Sequence, residues 1–279
     1  MTERRAMRPI VLKFGGELLD DPTSAATVIS AVQSIATERP AVIVHGGGKA
    51  IDAALKVAGI EKRQVDGLRV TDADTLDVVV SVLAGTINTC FVADLNAAGV
   101  PAVGLTGADA SCGLSVLAPP HQTVDGRTVD LGRVGVPSND ADMRLLETLT
   151  RDGFVPVLAC VGVDRNGQLL NVNADTLAGF VAARLAAPRL VIAGTTPGVL
   201  DAGGRSLPTI DPATIAAIVA NGTATAGMIA KLRACERALA EGVDEVVIVD
   251  GRDRDAVVAA AASDVLSRAT RLSRAGTLA

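Results

Sequence analysis

The sequence has no tryptophan and no tyrosine, and only four phenylalanines among 279 residues. Stacking of nucleobases on aromatic side chains, the usual hold on single strands, has almost nothing to work with. Positive charge is also short. Lys and Arg number 26 against 31 Asp and Glu, a formal net charge of −5, which argues against a nucleic-acid partner or an anionic membrane surface. With two histidines, no Ser–His–Asp or Cys–His arrangement has a plausible spacing for nucleophilic catalysis. Cys90, Cys112, Cys160 and Cys235 lie far apart with no CxxC pair, so neither a zinc site nor a disulfide scaffold is expected. Their apolar settings predict buried thiols. No signal-peptide pattern opens the chain, and no uninterrupted apolar run is long enough to span a bilayer. A soluble cytoplasmic protein is therefore expected.

Aliphatic residues and glycine fill the space the aromatics leave: 49% of residues are hydrophobic and 28 are glycine. The length suffices for one large α/β domain or two smaller ones. The most informative stretch is Ala41 to Lys49, AVIVHGGGK. A short, wholly apolar run bounded by glycines reads as a buried parallel strand. Glycines directly after it let backbone N–H groups approach a ligand, and the helix expected from Ile51 to Val57 would add a dipole that favours an anion. A plain strand-to-helix turn needs one glycine; three in a row point to anion binding.

Pro9 to Phe14 (PIVLKF) predicts the first strand, ended by Gly15-Gly16. Lys13 there reads either as an edge lysine reaching water or as a phosphate ligand beside glycine N–H groups. Asp20-Asp21-Pro22 opens a helix to about Thr37. Gln64 to Val70 reads as a hairpin with an Asp66-Gly67 turn. Arg69, just beyond it, is a solvated strand residue or a bidentate carboxylate clamp. Thr71 or Asp72 caps a helix that Gly99 stops. A strand at 101–106, a turn-rich region at 109–136 with a hairpin at Val124-Asp125-Gly126-Arg127, a helix from Asn139 to Arg151 and a strand from Phe154 to Cys160 follow. His121 reads as a surface residue. Asn171-Val172-Asn173-Ala174-Asp175 opens the next helix; capping needs one of its polar side chains, and Asp175 is free to orient nearby lysines.

Ala186-Ala187-Pro188 is the best boundary, dividing the chain into 1–186 and 187–279. Beyond it come a strand at 189–194, the loop Thr195 to Leu200, a helix from Asp211 to Ala220, the small-residue loop Gly222 to Lys231, a strand from Glu245 to Val249 and a last helix from Asp253 to about Ser267. Strands alternating with helices predict an α/β fold, a mostly parallel central sheet with helices on both faces in an αβα sandwich. The glycine loops match neither GxxxxGK[ST] nor GxGxxG. The residues themselves lead as far as an α/β enzyme handling a phosphorylated ligand.

Taken together, KFGGELLDD at 13–21, VHGGG at 44–48, GLRVTDADTLDVV at 67–79, NVNAD at 171–175 and AGMIAKL at 226–232 resemble the amino-acid kinase family from about Ile10 to Gly251. Within it, GLRVT and NVNAD resemble the branch that phosphorylates N-acetylglutamate in arginine biosynthesis. The resemblance implies ATP as phosphoryl donor, with Mg2+ held mainly through its phosphates and no protein metal ligand. It implies catalytic roles for Lys13 and Lys231 on the phosphoryl group in flight and for Asp175, which holds them. Gly47, Gly48, Arg69, Asn171 and Asn173 match the acceptor side. Gly15, Gly16, Thr195, Thr196, Gly198, Gly227 and Met228 match the phosphate and ATP side. Residues 1–186 would then be the acyl-amino-acid lobe and 187–279 the ATP lobe.

Four positions depart from the common pattern. Lys49 stands where many members carry Pro, Thr195 where Asp is common, and Ala226 and Ala230 where Gly and Pro are frequent. Eight residues precede Pro9, without the extra N-terminal helix usual in arginine-inhibited hexamers, so a homodimer insensitive to arginine is expected; the C-terminal RAGTLA resembles the tail of sensitive members. N-acetyl-aminoadipate and N-succinylglutamate are the alternative acceptors, and a non-catalytic acyl-amino-acid sensor is the alternative class.

Overall fold

The computed structural model describes residues 7–123, 126–201, 203–220, 226–262 and 268–273. Val124-Asp125 of the expected hairpin, residues 222–225 of the loop before Lys231, the predicted end of the last helix and the terminal RAGTLA lie outside the described residues, and residues 226–231, expected in that loop, are already helical.

The chain opens with β1 (Ile10–Phe14), a single helical turn α1 (Gly16–Leu19) and α2 (Pro22–Glu38). Pro22 opens α2, and Asp21 caps it by accepting the Ser24 N–H at 2.8 Å, the two start signals that the sequence carries. Next come β2 (Ala41–His45), α3 (Gly48–Val57), the hairpin β3 (Gln64–Val65) and β4 (Leu68–Arg69), and α4 (Ala73–Ala97). The hairpin turn has φ 48° at Asp66 and 81° at Gly67, the left-handed pair a two-residue hairpin needs. Asp72 caps α4 by accepting the Thr75 N–H at 2.9 Å. Within α4, Ser81–Asn88 is wound as a π-helix.

The middle of the chain supplies β5 (Ala102–Thr106), β6 (Ser115–Leu117), β7 (His121–Gln122), β8 (Thr128–Val129), β9 (Val134–Pro137) and α5 (Arg144–Arg151). It continues with β10 (Val155–Ala159), β11 (Val161–Val163), β12 (Leu169–Val172) and α6 (Ala174–Arg184). The remainder gives β13 (Arg189–Gly194), β14 (Thr209–Ile210), α7 (Pro212–Ala220), α8 (Ala226–Ala240), β15 (Glu245–Asp250), α9 (Arg254–Ala262) and β16 (Ala269–Ser273).

Eight strands form one sheet in the order β14-β16-β15-β13-β1-β2-β10-β5. All its pairings are parallel except β15 with β16. Strands drawn from before Ala186 fill one half and later strands the other, meeting where β1 pairs with β13. Side-chain alternation sends Val11, Val42, Val44 and Ile192 to one core, and Ile10, Leu12, Phe14, Ile43 and Val191 to the other. Both faces are therefore buried, as the unbroken apolar strands require. A smaller sheet, β11-β12-β9-β6, stands beside the main one.

Several expectations are corrected. The helix placed at Asn139 begins at Arg144, because Asp142 takes the Arg144 N–H at 3.0 Å in a local turn. Asn171 lies within the strand β12 instead of opening a helix, and the cap of α6 is Asn173. The chain continues past its last helix into β16, antiparallel to β15. Cys90 is exposed, while Cys112, Cys160 and Cys235 are buried. His121 is half-buried against Asp66, Nε2 to Oδ2 2.9 Å. Helix α4 is long and apolar enough by length and composition to cross a membrane; Ser, Thr, Gly and Asn break its apolar run in the sequence. Here it packs on β5 and β10.

Candidate functional site

Lys13 is not at an edge: β1 lies in the interior of the sheet between β13 and β2. Alternation along β1 gives Lys13 the same face as Val11, the face covered by α6 and α8. Its Nζ is therefore forced into the protein, 2.9 Å from Asp175 Oδ1 in the first turn of α6. Asp175 Oδ1 has no hydrogen bond aligned on it, so the contact is an ion pair by proximity. Burial pulls Lys13 down, but Asp175, with Glu17 farther off, outweighs it and holds Lys13 above its ordinary value. Burial acts to raise Asp175, yet Lys13 and Lys231 keep it below the usual carboxylate range. Burial and the neighbouring Lys13 charge hold Lys231 below its ordinary value, against the pull of Asp175. The three form one coupled cluster, with Lys231 as its underbalanced cation. Burial also pushes the thiols beside it up, Cys160 to about 12, so both are neutral neighbours.

Two glycine turns meet at this cluster. Phe14 pairs with His45 and Ala193, so β1, β2 and β13 end level, at the carboxyl edge where open α/β sheets bind ligands. Gly15 and Gly16 follow β1; Gly46, Gly47 and Gly48 follow β2. A Cβ on Gly16 would collide with Gly47 Cα, so the turns touch backbone to backbone. A Cβ on Gly47 would collide with Ile87 and Leu83 of α4, whereas Gly48 faces open space.

Arg69 reaches the same end of the glycine line. Its Nη2 donates to Asp52 Oδ1 at 2.5 Å and lies 3.4 Å from Gly48 O. The side chain is 8% exposed, and its Nη1 is buried with no hydrogen-bond partner. Leaving a charged donor in that state costs about 1–3 kcal/mol or more, which a carboxylate ligand would recover. Asp52 is fixed in turn by Lys62 Nζ at 2.6 Å. Asn171 Nδ2 donates to Thr71 Oγ1 at 3.0 Å, and Thr71 Oγ1 donates to Arg69 O at 3.1 Å. Asn173 Oδ1 accepts the Thr176 N–H at 3.0 Å and is committed to its cap; it lines a cleft of about 600 Å³ between α6, α8 and the hairpins.

Under the glycines, His45 is fully buried. Asn88, delivered by the π-helical stretch, donates Nδ2 to His45 Nε2 at 3.0 Å and to Val157 O at 2.9 Å. That makes Nε2 the acceptor and leaves Nδ1–H for Gly46 O, 3.2 Å away. Burial, against the Gly46 bond, lowers His45 to about 4, so it is neutral and a fixed prop of the turn. Phe91 stands edge-on to both His45 and Phe14.

On the other side, Thr195 and Thr196 follow β13, and Thr195 O accepts Arg252 Nη2 at 2.8 Å. Gly198 has φ 112° and packs on Thr270, which accounts for the glycine structurally. Gly227 is open and Met228 half-buried in the first turn of α8. Among the described residues no group of three or more His, Cys, Asp or Glu is placed to hold a metal ion. Asp52, Thr71, Asn88 and Glu17 are the site residues that sequence reasoning missed. Asp52 alone carried a usable signal, a carboxylate four residues past Gly48 on the helix facing the hairpin.

The model of the amino acid kinase family matches residues 8–250. The acetylglutamate kinase of Novosphingobium aromaticivorans is 39% identical over 260 residues, 90% of this chain and 86% of its own length. That of Bradyrhizobium diazoefficiens is 40% identical over 257 residues, 89% and 86% of the two chains. Among solved structures, smu.665 of Streptococcus mutans UA159 superposes with a TM-score of 0.78 at 26% identity, covering 94% of this chain and 98% of that one.

Proposed function

The chain belongs to the amino acid kinase family, and from that premise we propose that it transfers the γ-phosphoryl group of ATP to the side-chain carboxylate of N-acetyl-L-glutamate. The product is N-acetyl-L-glutamyl 5-phosphate, an acyl phosphate of arginine biosynthesis. The chain is thus a phosphotransferase with a carboxyl acceptor. One observation carries the acceptor side of this reading: the buried, unpartnered Nη1 of Arg69 beside Gly48, a site shaped for a carboxylate.

The acceptor oxygen is already ionised at neutral pH, so the reaction needs no enzyme base. Alignment and charge stabilisation carry the rate, in keeping with a site whose histidine is neutral and buried. In this proposal Lys13 and Lys231 stabilise the charge on the phosphoryl group in flight, and Asp175 holds both lysines. Gly15 and Gly16 cradle the donor phosphates; Gly47 and Gly48 meet the acceptor and the transferring group. Arg69 and Asn171 hold the α-carboxylate and its polar neighbours, with Asn173 at the rim. Thr195, Thr196, Gly198, Gly227 and Met228 face ATP. Mg2+ bound to the ATP phosphates supplies further charge neutralisation. Residues 1–186 act as the acceptor lobe and 187–279 as the ATP lobe. A cytoplasmic homodimer completes the proposal.

Acceptor competition tests the reading. ADP release is measured with N-acetylglutamate, N-acetyl-aminoadipate and N-succinylglutamate in parallel. A clear kcat/KM preference for N-acetylglutamate is expected. Preference for another acceptor would move the enzyme to a different acyl substrate, and nucleotide binding without turnover on any of them would make it a sensor.

A further inference from the structure

The mechanism above gives no task to Glu17, although its carboxylate lies inside the donor half of the site. Glu17 is the second residue of α1 and is half-buried. Its side chain folds back over Gly15 so closely that a Cβ on Gly15 would collide with both carboxylate oxygens. The same carboxylate approaches the end of β13. A Cβ built on Gly194 would lie 3.3 Å from Lys231 Nζ and 3.6 Å from Glu17 Oε1. The absent side chain of Gly194 therefore leaves a gap that an anion and a cation share. Glu17 acts on the charge of both Lys13 and Lys231. No described group donates a hydrogen bond to its carboxylate, in contrast to the carboxylates of Asp52 and Asp72.

The charge count sharpens the point. Two lysines and Asp175 leave the cluster with one net positive charge, which suits a phosphate. Glu17 cancels it. A carboxylate and a phosphate cannot share the space over Gly15 without like-charge repulsion in a partly desolvated pocket. An unanchored side chain on a single helical turn has the freedom to give way.

We propose that Glu17 is a resident counter-anion: in the free enzyme its carboxylate takes the place over Gly15 that a nucleotide phosphate takes on binding, and it sets nucleotide affinity by direct competition. The inference rests on the phosphotransferase reading. The step is a displacement, with no bond made or broken. Glu17 holds the two lysines in a compensated state until a ligand of higher charge replaces it.

The test is calorimetric titration of the full chain with ADP and with the β,γ-imido analogue of ATP, in magnesium and without acceptor. Wild type, Glu17→Gln and Glu17→Ala are compared, with thermal melting as a check on folding. Both variants are expected to bind nucleotide about tenfold more tightly, the removal of one like charge from the pocket. Glu17→Gln preserves shape, so a merely structural glutamate would leave its affinity at the wild-type value. Unchanged affinity in Glu17→Gln overturns the proposal. Weaker binding overturns it as well and makes the carboxylate a helper of the bound nucleotide. Failure of the wild type itself to bind either nucleotide would instead remove the phosphotransferase reading on which it rests.

Discussion

Lys13 Nζ and Asp175 Oδ1 stand 2.9 Å apart, one on a central strand and the other at the start of a helix that covers it. The pair is the point at which fold and chemistry join, since strand alternation alone turns Lys13 toward α6. Replacing Lys13 by alanine removes a charge that acts chiefly in the transition state. The expected outcome is a loss of about 10²–10³ in kcat with KM for both substrates changed far less. Steady-state kinetics check it; an intact kcat would take Lys13 out of the mechanism.

Arg69 offers the complementary split. Arg69→Ala deletes the buried donor Nη1 and leaves Asp52 with Lys62 alone. KM for the N-acyl amino acid should rise by one to two orders of magnitude, about 1.5–3 kcal/mol for a charged hydrogen bond, with KM for ATP nearly unchanged. Weakened ATP with an unchanged acceptor KM would place Arg69 on the donor side.

His45 predicts a pH dependence of stability. Its folded value of about 4 lies below the ordinary 6.5, so the unfolded chain binds the proton more tightly. The stability it contributes is present above pH 6.5 and is lost as pH falls toward 4, by about 3 kcal/mol in all. Denaturant melts at several pH values should show that slope in the wild type and its loss in His45→Gln.

Asn88 ties the π-helical stretch to the glycine turn. Asn88→Ala leaves His45 Nε2 and Val157 O without their donor, a loss of about 1–3 kcal/mol from unsatisfied buried groups. Chemical denaturation measures it. Because His45 props Gly46, KM for the acceptor should also rise, whereas a purely structural Asn88 would change stability alone.

Gly16→Ala puts a methyl group into the backbone of Gly47. The two turns must then separate, and kcat should fall by at least tenfold, as misplacement at a reacting centre does. Activity at the wild-type level would show that contact between the turns is dispensable.

Much of this was legible because local chemistry and tertiary structure agree. Pro22, Asp21, Asp66-Gly67 and Asp72 mark starts and turns where the structure has them, and the apolar runs at 10–14, 41–45 and 189–194 are the central strands. The strand β16 was hidden because ATRLS is short, carries a charge and follows a helical pattern; its pairing with β15 is a long-range fact. Asn171 resembled a cap because cap residues and polar strand residues look alike in sequence. At the site, Lys13 stood out as a charge at the end of an apolar strand, and Asp175 as a carboxylate beyond what capping its helix requires. Asn88 and Glu17 did not, since each is an ordinary polar residue on a helix until the fold brings His45 or Lys231 to it. Cys90 sits on the outward side of α4, a side that the weak apolar bias of that helix could not mark.

The most direct measurement traps the product. Hydroxylamine is added to a reaction containing ATP, magnesium and N-acetylglutamate, and the hydroxamate is quantified against the ADP released. An acyl-phosphate product predicts hydroxamate and ADP in equal amounts, both formed about 10²–10³-fold more slowly in Lys13→Ala. ADP release without hydroxamate would mean that water, not a carboxylate, takes the phosphoryl group, and would contradict the account.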